Sequence, residues 1–188
     1  MSLLINTVLF SQSFQDLDIA LLKAIYEHRL TFLDPAFKIF TDTAGYFAFG
    51  FPILALIISF INKNKVLRNK AIKLVVPVAI SAIVANILKY TIDLPRPYEI
   101  YPFIEKLSVG GSPSFPSGHT ADAFAFAVGL ALLFPKWNII IPGLLWAMLI
   151  GYSRMVLGVH FPSDVLAGAI IGTVCTIIYY WLKKTKTV

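Results

Sequence analysis

Charged and turn-forming residues cut this chain into apolar runs, five of which approach the ~20 residues a helix needs to cross a bilayer. They are residues 44–61, 71–91, 118–134, 138–156 and 164–182. A hydrophobic content of 57% and a mean hydropathy of +0.76 lie far above the average of soluble domains. The expected fold is therefore all-α: a polytopic transmembrane helical bundle of five to six spans.

The first span is well defined in its apolar core, 46–60, but not in its start, because Thr41, Asp42 and Thr43 precede it. Upstream, residues 17–40 carry Lys23, Glu27, Arg29, Asp34 and Lys38. That pattern favours an interfacial amphipathic helix with a turn at Asp34-Pro35 over a sixth span. The chain then reads as a single domain, with an N-terminal interfacial or partly spanning segment, 1–43, and a transmembrane core, 44–188. The first ten residues have neither the basic flank nor the cleavage site of a secretory signal. His28, beside Arg29, reads as an ordinary interfacial residue, and the lone Cys175, within an apolar span, as a small buried hydrophobe.

A formal net charge of +6 does not point to nucleic acid, because the basic residues are segregated along the chain. Lys63, Lys65, Arg68, Lys70 and Lys73 share one loop region, Lys136 lies in the next loop on that side, and Lys183, Lys184 and Lys186 form the tail. The positive-inside rule makes these segments cytoplasmic and puts 92–117 and 157–163 together on the opposite face.

On that outer face gather the polar residues a membrane disfavours. Lys89 and Arg96 flank the end of the second span in KYTIDLPRP, Ser117 and His119 begin the third in PSFPSGHTADAF, and SRMVLGVHFPSD joins the fourth to the fifth. Lys89, Arg96 and Arg154 supply positive charge, the two guanidinium groups being suited to bidentate contact with phosphate oxygens. Gly118 permits close backbone approach, and the helix starting there directs unpaired N–H groups and its positive dipole end outward. One imidazole can attack phosphorus while a second protonates the departing oxygen. His160 and Asp164 have the spacing of an imidazole and its orienting carboxylate; His119, without such a partner in its own motif, is assigned as proton donor. Asp122, one turn from His119 in an apolar helix, is read either as a partner of His119 or a site cation, or as a water-satisfied polar residue.

Lys89-x6-Arg96-Pro97, Pro116-Ser117-Gly118-His119 and Ser153-Arg154-x5-His160-x3-Asp164 together resemble the three-part signature of the type 2 phosphatidic acid phosphatase superfamily, which includes membrane lipid phosphatases, class A acid phosphatases and vanadium-dependent haloperoxidases. The resemblance implies that His160 is the nucleophile and forms a phosphohistidine, that Asp164 orients it, and that His119 is the acid. It implies that Lys89, Arg96, Ser117, Gly118 and Arg154 hold the phosphate, with no metal and no cofactor. The implied activity is hydrolysis of a lipid phosphomonoester or pyrophosphate: undecaprenyl pyrophosphate, phosphatidylglycerol phosphate, lipid A phosphate or phosphatidic acid. The implied partners are that lipid and the bilayer. The expected location is the inner membrane of a bacterium, with the site facing the periplasm or exterior. Two alternatives are a haloperoxidase-like enzyme holding vanadate and a membrane anion transporter or channel. Tyr98, Tyr101, Phe103 and Phe115 read as an interfacial aromatic belt or, with Gly110-Gly111, as a gate for lipid.

Overall fold

A computed structural model describes the backbone of residues 2–185 and the side chains of residues 12–184. All regular structure among the described residues is helical: α1 (Ser2–Glu27), α2 (Asp34–Gly45), a π turn (Tyr46–Gly50), α3 (Phe51–Ile61), α4 (Lys65–Ile92), the single turn α5 (Pro97–Ile100), α6 (Gly118–Leu133), α7 (Trp137–Val156) and α8 (Pro162–Thr185). Helices satisfy their backbone hydrogen bonds internally, which is the condition for crossing hydrocarbon. Four helical runs are long and apolar enough to do so: Thr31–Ile61, Lys65–Ile100, Trp137–Val156 and Pro162–Lys184. The remaining one, α6, has 16 residues and a length of about 24 Å at ~1.5 Å per residue.

The first long run begins well before residue 44. Pro35 lies in the first turn of α2, where a missing N–H costs nothing, so the chain turns at 28–33 and not at Asp34-Pro35. Arg29 closes that turn, donating to the Tyr26 carbonyl at 2.7 Å and to Asp34 Oδ2 at 3.2 Å. Of the three polar residues that suggested a flank, Asp42 is exposed, while Thr41 and Thr43 bond other residues of the bundle. Thr41 Oγ1 accepts from Arg154 at 3.0 Å. Thr43 Oγ1 donates to the Phe40 carbonyl at 2.6 Å and accepts from Trp146 Nε1 at 3.1 Å. Satisfied in this way, hydroxyls cost little at membrane depth.

The short α6 is the axis of the bundle, packed against α4, α7 and α8. Its buried positions are mostly small: Thr120, Ala121, Ala123, Ala125, Ala127 and Gly129, with Phe126 the exception. The closest approach is to α8. A Cβ on Gly168 would stand 2.5 Å from the Ser117 carbonyl oxygen, and one on Gly172 would run into the Ala121 carbonyl. Gly168 and Gly172 form a small-x3-small pair, the arrangement that lets two membrane helices meet backbone to backbone. This contact ties the start of α6, which carries His119, to the start of α8, which carries Asp164.

At one end of the bundle are the tight connections 62–64 and 134–136; at the other are the long segment 93–117 and the turn 157–161. The second end therefore collects the C-termini of α4 and α7 with the N-termini of α6 and α8. Across it lies the C-terminal half of α1, whose Ile19, Leu22 and Tyr26 pack with Tyr98, Tyr101, Ile104, Leu107, Met155 and Phe161. Tyr98 and Tyr101 are thus drawn inward beneath α1 and do not form a belt; Phe103 alone of the four expected belt residues is exposed. Cys175, expected as a small buried hydrophobe, is half-buried on α8.

Gly172→Ala is expected to destabilise the protein by about 1–3 kcal/mol through overpacking against the α6 backbone. Gly45→Ala, where nothing lies within 4 Å of the added methyl, is expected to leave stability unchanged or raise it. Thermal unfolding of the two variants in detergent measures the contrast.

Candidate active site

Lys89 and Arg154 lie in the last turns of α4 and α7, where the helix dipole favours a cation. Arg96 precedes α5 and is held by Glu99, whose Oε2 accepts from the Arg96 backbone N–H at 2.8 Å. All three cations are nearly sealed from solvent, Lys89 at 6%, Arg96 at 4% and Arg154 at 2% exposure.

Neutral oxygens hold them in place. Lys89 Nζ donates to the carbonyls of Pro113 at 2.7 Å and Ser114 at 3.3 Å. Arg96 donates from Nε to the Ser112 carbonyl at 2.8 Å, from Nη2 to Ser112 Oγ at 3.3 Å and from Nη1 to the Val159 carbonyl at 2.9 Å. Gly110 presses against the same guanidinium, since a Cβ there would lie 3.0 Å from Nη1; its smallness serves this contact. Arg154 Nη1 reaches Thr41 at 3.0 Å and Ser108 Oγ at 3.4 Å, while its buried Nε has no hydrogen-bond partner. The phosphate-binding candidates therefore converge, and one of them retains a vacant donor.

His160 lies in the turn between α7 and α8 and is 2% exposed. Its Nδ1 is 3.3 Å from Asp164 Oδ2 and its Nε2 is 3.5 Å from Arg96 Nη1. A guanidinium has only donors to offer, so the ring nitrogen facing it presents a lone pair; this assigns the proton to Nδ1, toward Asp164. Burial first, and then the charges of Arg154, Arg96 and Lys89, hold the His160 pKa well below the ordinary histidine value, against a weaker opposing pull from the Ser114 backbone. The resting imidazole is neutral and its Nε2 lone pair is free of a proton.

Asp164 Oδ2 is fixed from two further sides, by Ser114 Oγ at 2.5 Å and by the Phe161 N–H at 2.9 Å. The Asp164 backbone carbonyl in turn accepts from the Ser117 N–H at 3.0 Å, joining the starts of α8 and α6. Ser117 Oγ shares a hydrogen bond with Thr120 Oγ1 at 2.8 Å. Gly118 faces Lys89, whose Cε would be 3.9 Å from an added Cβ. His119, half-buried at the second position of α6, interacts electrostatically with Arg154, His160, Arg96 and Lys89. Asp122 stands apart: its buried Oδ1 has no hydrogen-bond partner, and it bonds neither His119 nor a site cation. Among the described residues no group of three or more His, Cys, Asp or Glu side chains gathers that could hold a metal ion.

Several residues of this assembly carry no signature of their own in the sequence. Ser114 lies inside the PSFPSGH stretch and could have been suspected from that position. Thr41 and Ser108 are single hydroxyls far from the motifs, and only the folded chain brings them to Arg154.

The sequence pattern of the PAP2 superfamily matches residues 70–187. The chain is 32% identical over 135 residues to an undecaprenyl-diphosphatase of Sulfolobus acidocaldarius, covering 71% of this chain and 63% of that one. It is 36% identical over 100 residues to a lipid A 1-phosphatase of Rhizobium etli, covering 50% and 42%. The alignments thus span less than two thirds of these relatives' lengths. Among solved structures, Aquifex aeolicus LpxE superimposes with a TM-score of 0.74 at 36% identity, over 86% of this chain and 93% of that one. With the pattern matched over residues 70–187, and that region holding Lys89, Arg96, Arg154, His160 and Asp164 buried and His119 half-buried beside them, this chain belongs to the PAP2 superfamily.

Proposed function

We propose that this protein is an integral-membrane phosphatase that removes phosphate from the headgroup of a membrane lipid, through a phosphohistidine intermediate on His160. The observation that carries this reading is the charge imbalance of the site. Three buried cations surround one buried carboxylate, Asp164, next to a neutral imidazole. Uncompensated buried charge is costly, so such a cluster calls for a multiply charged anion. A phosphoryl group supplies it, and one of its oxygens can take the vacant Nε–H of Arg154.

His160 Nε2 attacks phosphorus, forming the N–P bond as the bond from phosphorus to the lipid oxygen breaks. Asp164 receives the Nδ1–H hydrogen bond and stabilises the positive charge that develops on the ring. His119 delivers a proton to the departing oxygen. In the second half, water attacks the phosphoryl group, His119 takes a proton from it, and the N–P bond breaks to restore neutral His160. Lys89, Arg96 and Arg154, with the Ser117 hydroxyl and the Gly118 N–H, hold the three equatorial oxygens of the five-coordinate transition state. Preorganised donors of this kind act where water is excluded and are worth most there.

The names of the relatives support both a pyrophosphate and a phosphomonoester of a lipid as substrate class. The placement of charge supports an extracytoplasmic site: Lys63, Lys65, Arg68 and Lys136 lie at the opposite end of the bundle. In this reading α6 is the fifth span. Enclosed by its neighbours, it has no need to match the hydrocarbon thickness itself. The whole chain acts as one domain in a cytoplasmic membrane.

Free phosphate released from undecaprenyl pyrophosphate, phosphatidylglycerol phosphate, lipid A and phosphatidic acid, in detergent with chelator present, tests the proposal. His160→Ala is expected to abolish release and any radiolabelled phosphate trapped on the protein. His119→Gln is expected to slow turnover by about 10²- to 10⁴-fold. Release that survives His160→Ala sinks the mechanism.

Ser114→Ala removes a hydrogen bond to a charged group, an interaction worth about 1.5–3 kcal/mol. If it serves mainly to orient His160 through Asp164, kcat is expected to fall by roughly 10- to 100-fold, with KM little changed. Steady-state kinetics on the fastest substrate of the panel measure the split.

The acid limb of kcat/KM follows protonation of the free enzyme. Because His160 is held neutral below its ordinary range, protonation that disables it is expected only below pH ~6.5. Lys89→Gln removes one of the charges that depress it, so the limb should move to higher pH in that variant. A limb that stays in place or moves to lower pH counts against His160 as the group titrating.

A further inference from the structure

A cleft of about 670 Å³ opens beside the site, between α1 and α8. Phe14, Gln15 and Asp18 form its α1 wall, and Leu166, Ala167 and Ile170 its α8 wall. Its inner end is made by Phe115, Phe161 and Asp164, so the cleft is continuous with the residues around His160. At its other end Phe14, Leu166 and Ile170 are 51%, 62% and 53% exposed, open to the side where a bilayer would lie. From Asp164 to Ile170 it follows α8 for about 9 Å, and its size is that of pockets that enclose a small ligand.

The α1 wall is fastened to the site-bearing helix. Asp18 Oδ1 accepts from the Ser163 N–H at 2.8 Å and Asp18 Oδ2 from Ser163 Oγ at 2.5 Å. A carboxylate there satisfies orphan donors in the first turn of α8 and meets the positive end of its dipole, one residue before Asp164. A second fastening lies two turns along, where Leu22 is fully buried and Tyr26 Oη accepts from the Glu105 N–H at 2.8 Å. The α1 partners in both fastenings, Asp18, Leu22 and Tyr26, lie outside residues 70–187, the part matched by the superfamily pattern.

We propose that this cleft is the groove for the hydrocarbon chain of the lipid phosphate, with α1 as its outer wall and the Asp18–Ser163 pair as the pin holding that wall against α8. The inference rests on the phosphatase reading, which places a headgroup at His160 and so requires its apolar chain to leave the site toward the bilayer. This cleft is lined mostly by apolar side chains, with Gln15, Asp18 and Ser163 among them, and it touches Asp164 and opens sideways. Asp18 is a positioning residue: it bonds α8 and does not touch the phosphate.

The test compares kcat/KM for a long and a short chain on the same headgroup: undecaprenyl against farnesyl pyrophosphate, and dioleoyl against dihexanoyl phosphatidic acid. Ala167→Trp, which fills the groove, is expected to lower the long-to-short ratio at least tenfold. Asp18→Ala is expected to lower it in the same direction, with Asp18→Asn recovering part of the loss. Val174→Trp, on α8 beyond the groove, should leave the ratio as in the wild type. A ratio unchanged in Ala167→Trp while phosphate is still released overturns the groove and leaves the phosphatase reading standing. Release from none of the four substrates by the wild type sinks that reading itself. A measurement independent of any variant's folding is photolabelling of the wild type with a chain-diazirine analogue of whichever substrate is hydrolysed. Labels on residues 14–18 or 166–170 support the groove, and labels confined to Val174, Ile177 and their lipid-facing neighbours overturn it.

Discussion

Lys89, Arg96 and Arg154 repel one another across a space from which water is largely excluded, and the end of the bundle that holds them is organised around that repulsion. None of the three is neutralised by a paired acid of its own. Main-chain carbonyls of residues 112–114 and 159 and the hydroxyls of Thr41, Ser108 and Ser112 take up their N–H groups instead. Dipoles of this kind stabilise a cation without cancelling its charge, so the field survives in the pocket and is available to an anion. Burial first, and then the same field, keep a proton off His160, so the charges that would receive an anion also help to leave the imidazole neutral.

That arrangement depends on close contact between helices. The backbones of α6 and α8 meet across Gly168 and Gly172, and the Ser117 N–H bonds the Asp164 carbonyl. Two positive helix ends and two negative ones therefore meet at a common level, with Lys89 and Arg154 on the negative ends and the histidine motifs at or just before the positive ends. A bulkier residue at either glycine would separate the two motifs before it affected any side chain that does chemistry.

Much of this was legible in the sequence, and for a physical reason. Ionisable residues inside apolar segments are rare enough that Lys89, Arg96, His119, Arg154, His160 and Asp164 stood out, and their grouping on one face followed from counting spans. Less legible was anything that looked ordinary. Thr41 and Thr43 read as the polar edge of a span because hydroxyls are common at such edges; in the fold Thr41 is a buried partner of Arg154 and Thr43 a half-buried partner of Trp146. Asp34-Pro35 read as a turn, since proline ends one helix as readily as it starts the next. Tyr98 and Tyr101 read as a belt because position along the chain does not reveal the α1 helix lying over them. The glycine pair in GAIIG drew no reading from the sequence, because only the partner helix shows what the spacing serves. Asp122 was noticed for its cost, and its unbonded Oδ1 leaves that cost without a counterpart among the described side chains.

The bond between Thr41 and Arg154 joins the first long helical run to the last turn of α7. The first run contains none of the signature residues and lies ahead of the region the superfamily pattern covers, so by motif alone it would pass for an anchor. Its threonine nonetheless holds one guanidinium group of the buried cationic cluster. A fragment trimmed to the recognisable catalytic region would keep every diagnostic residue and lose this support under one of its guanidinium groups.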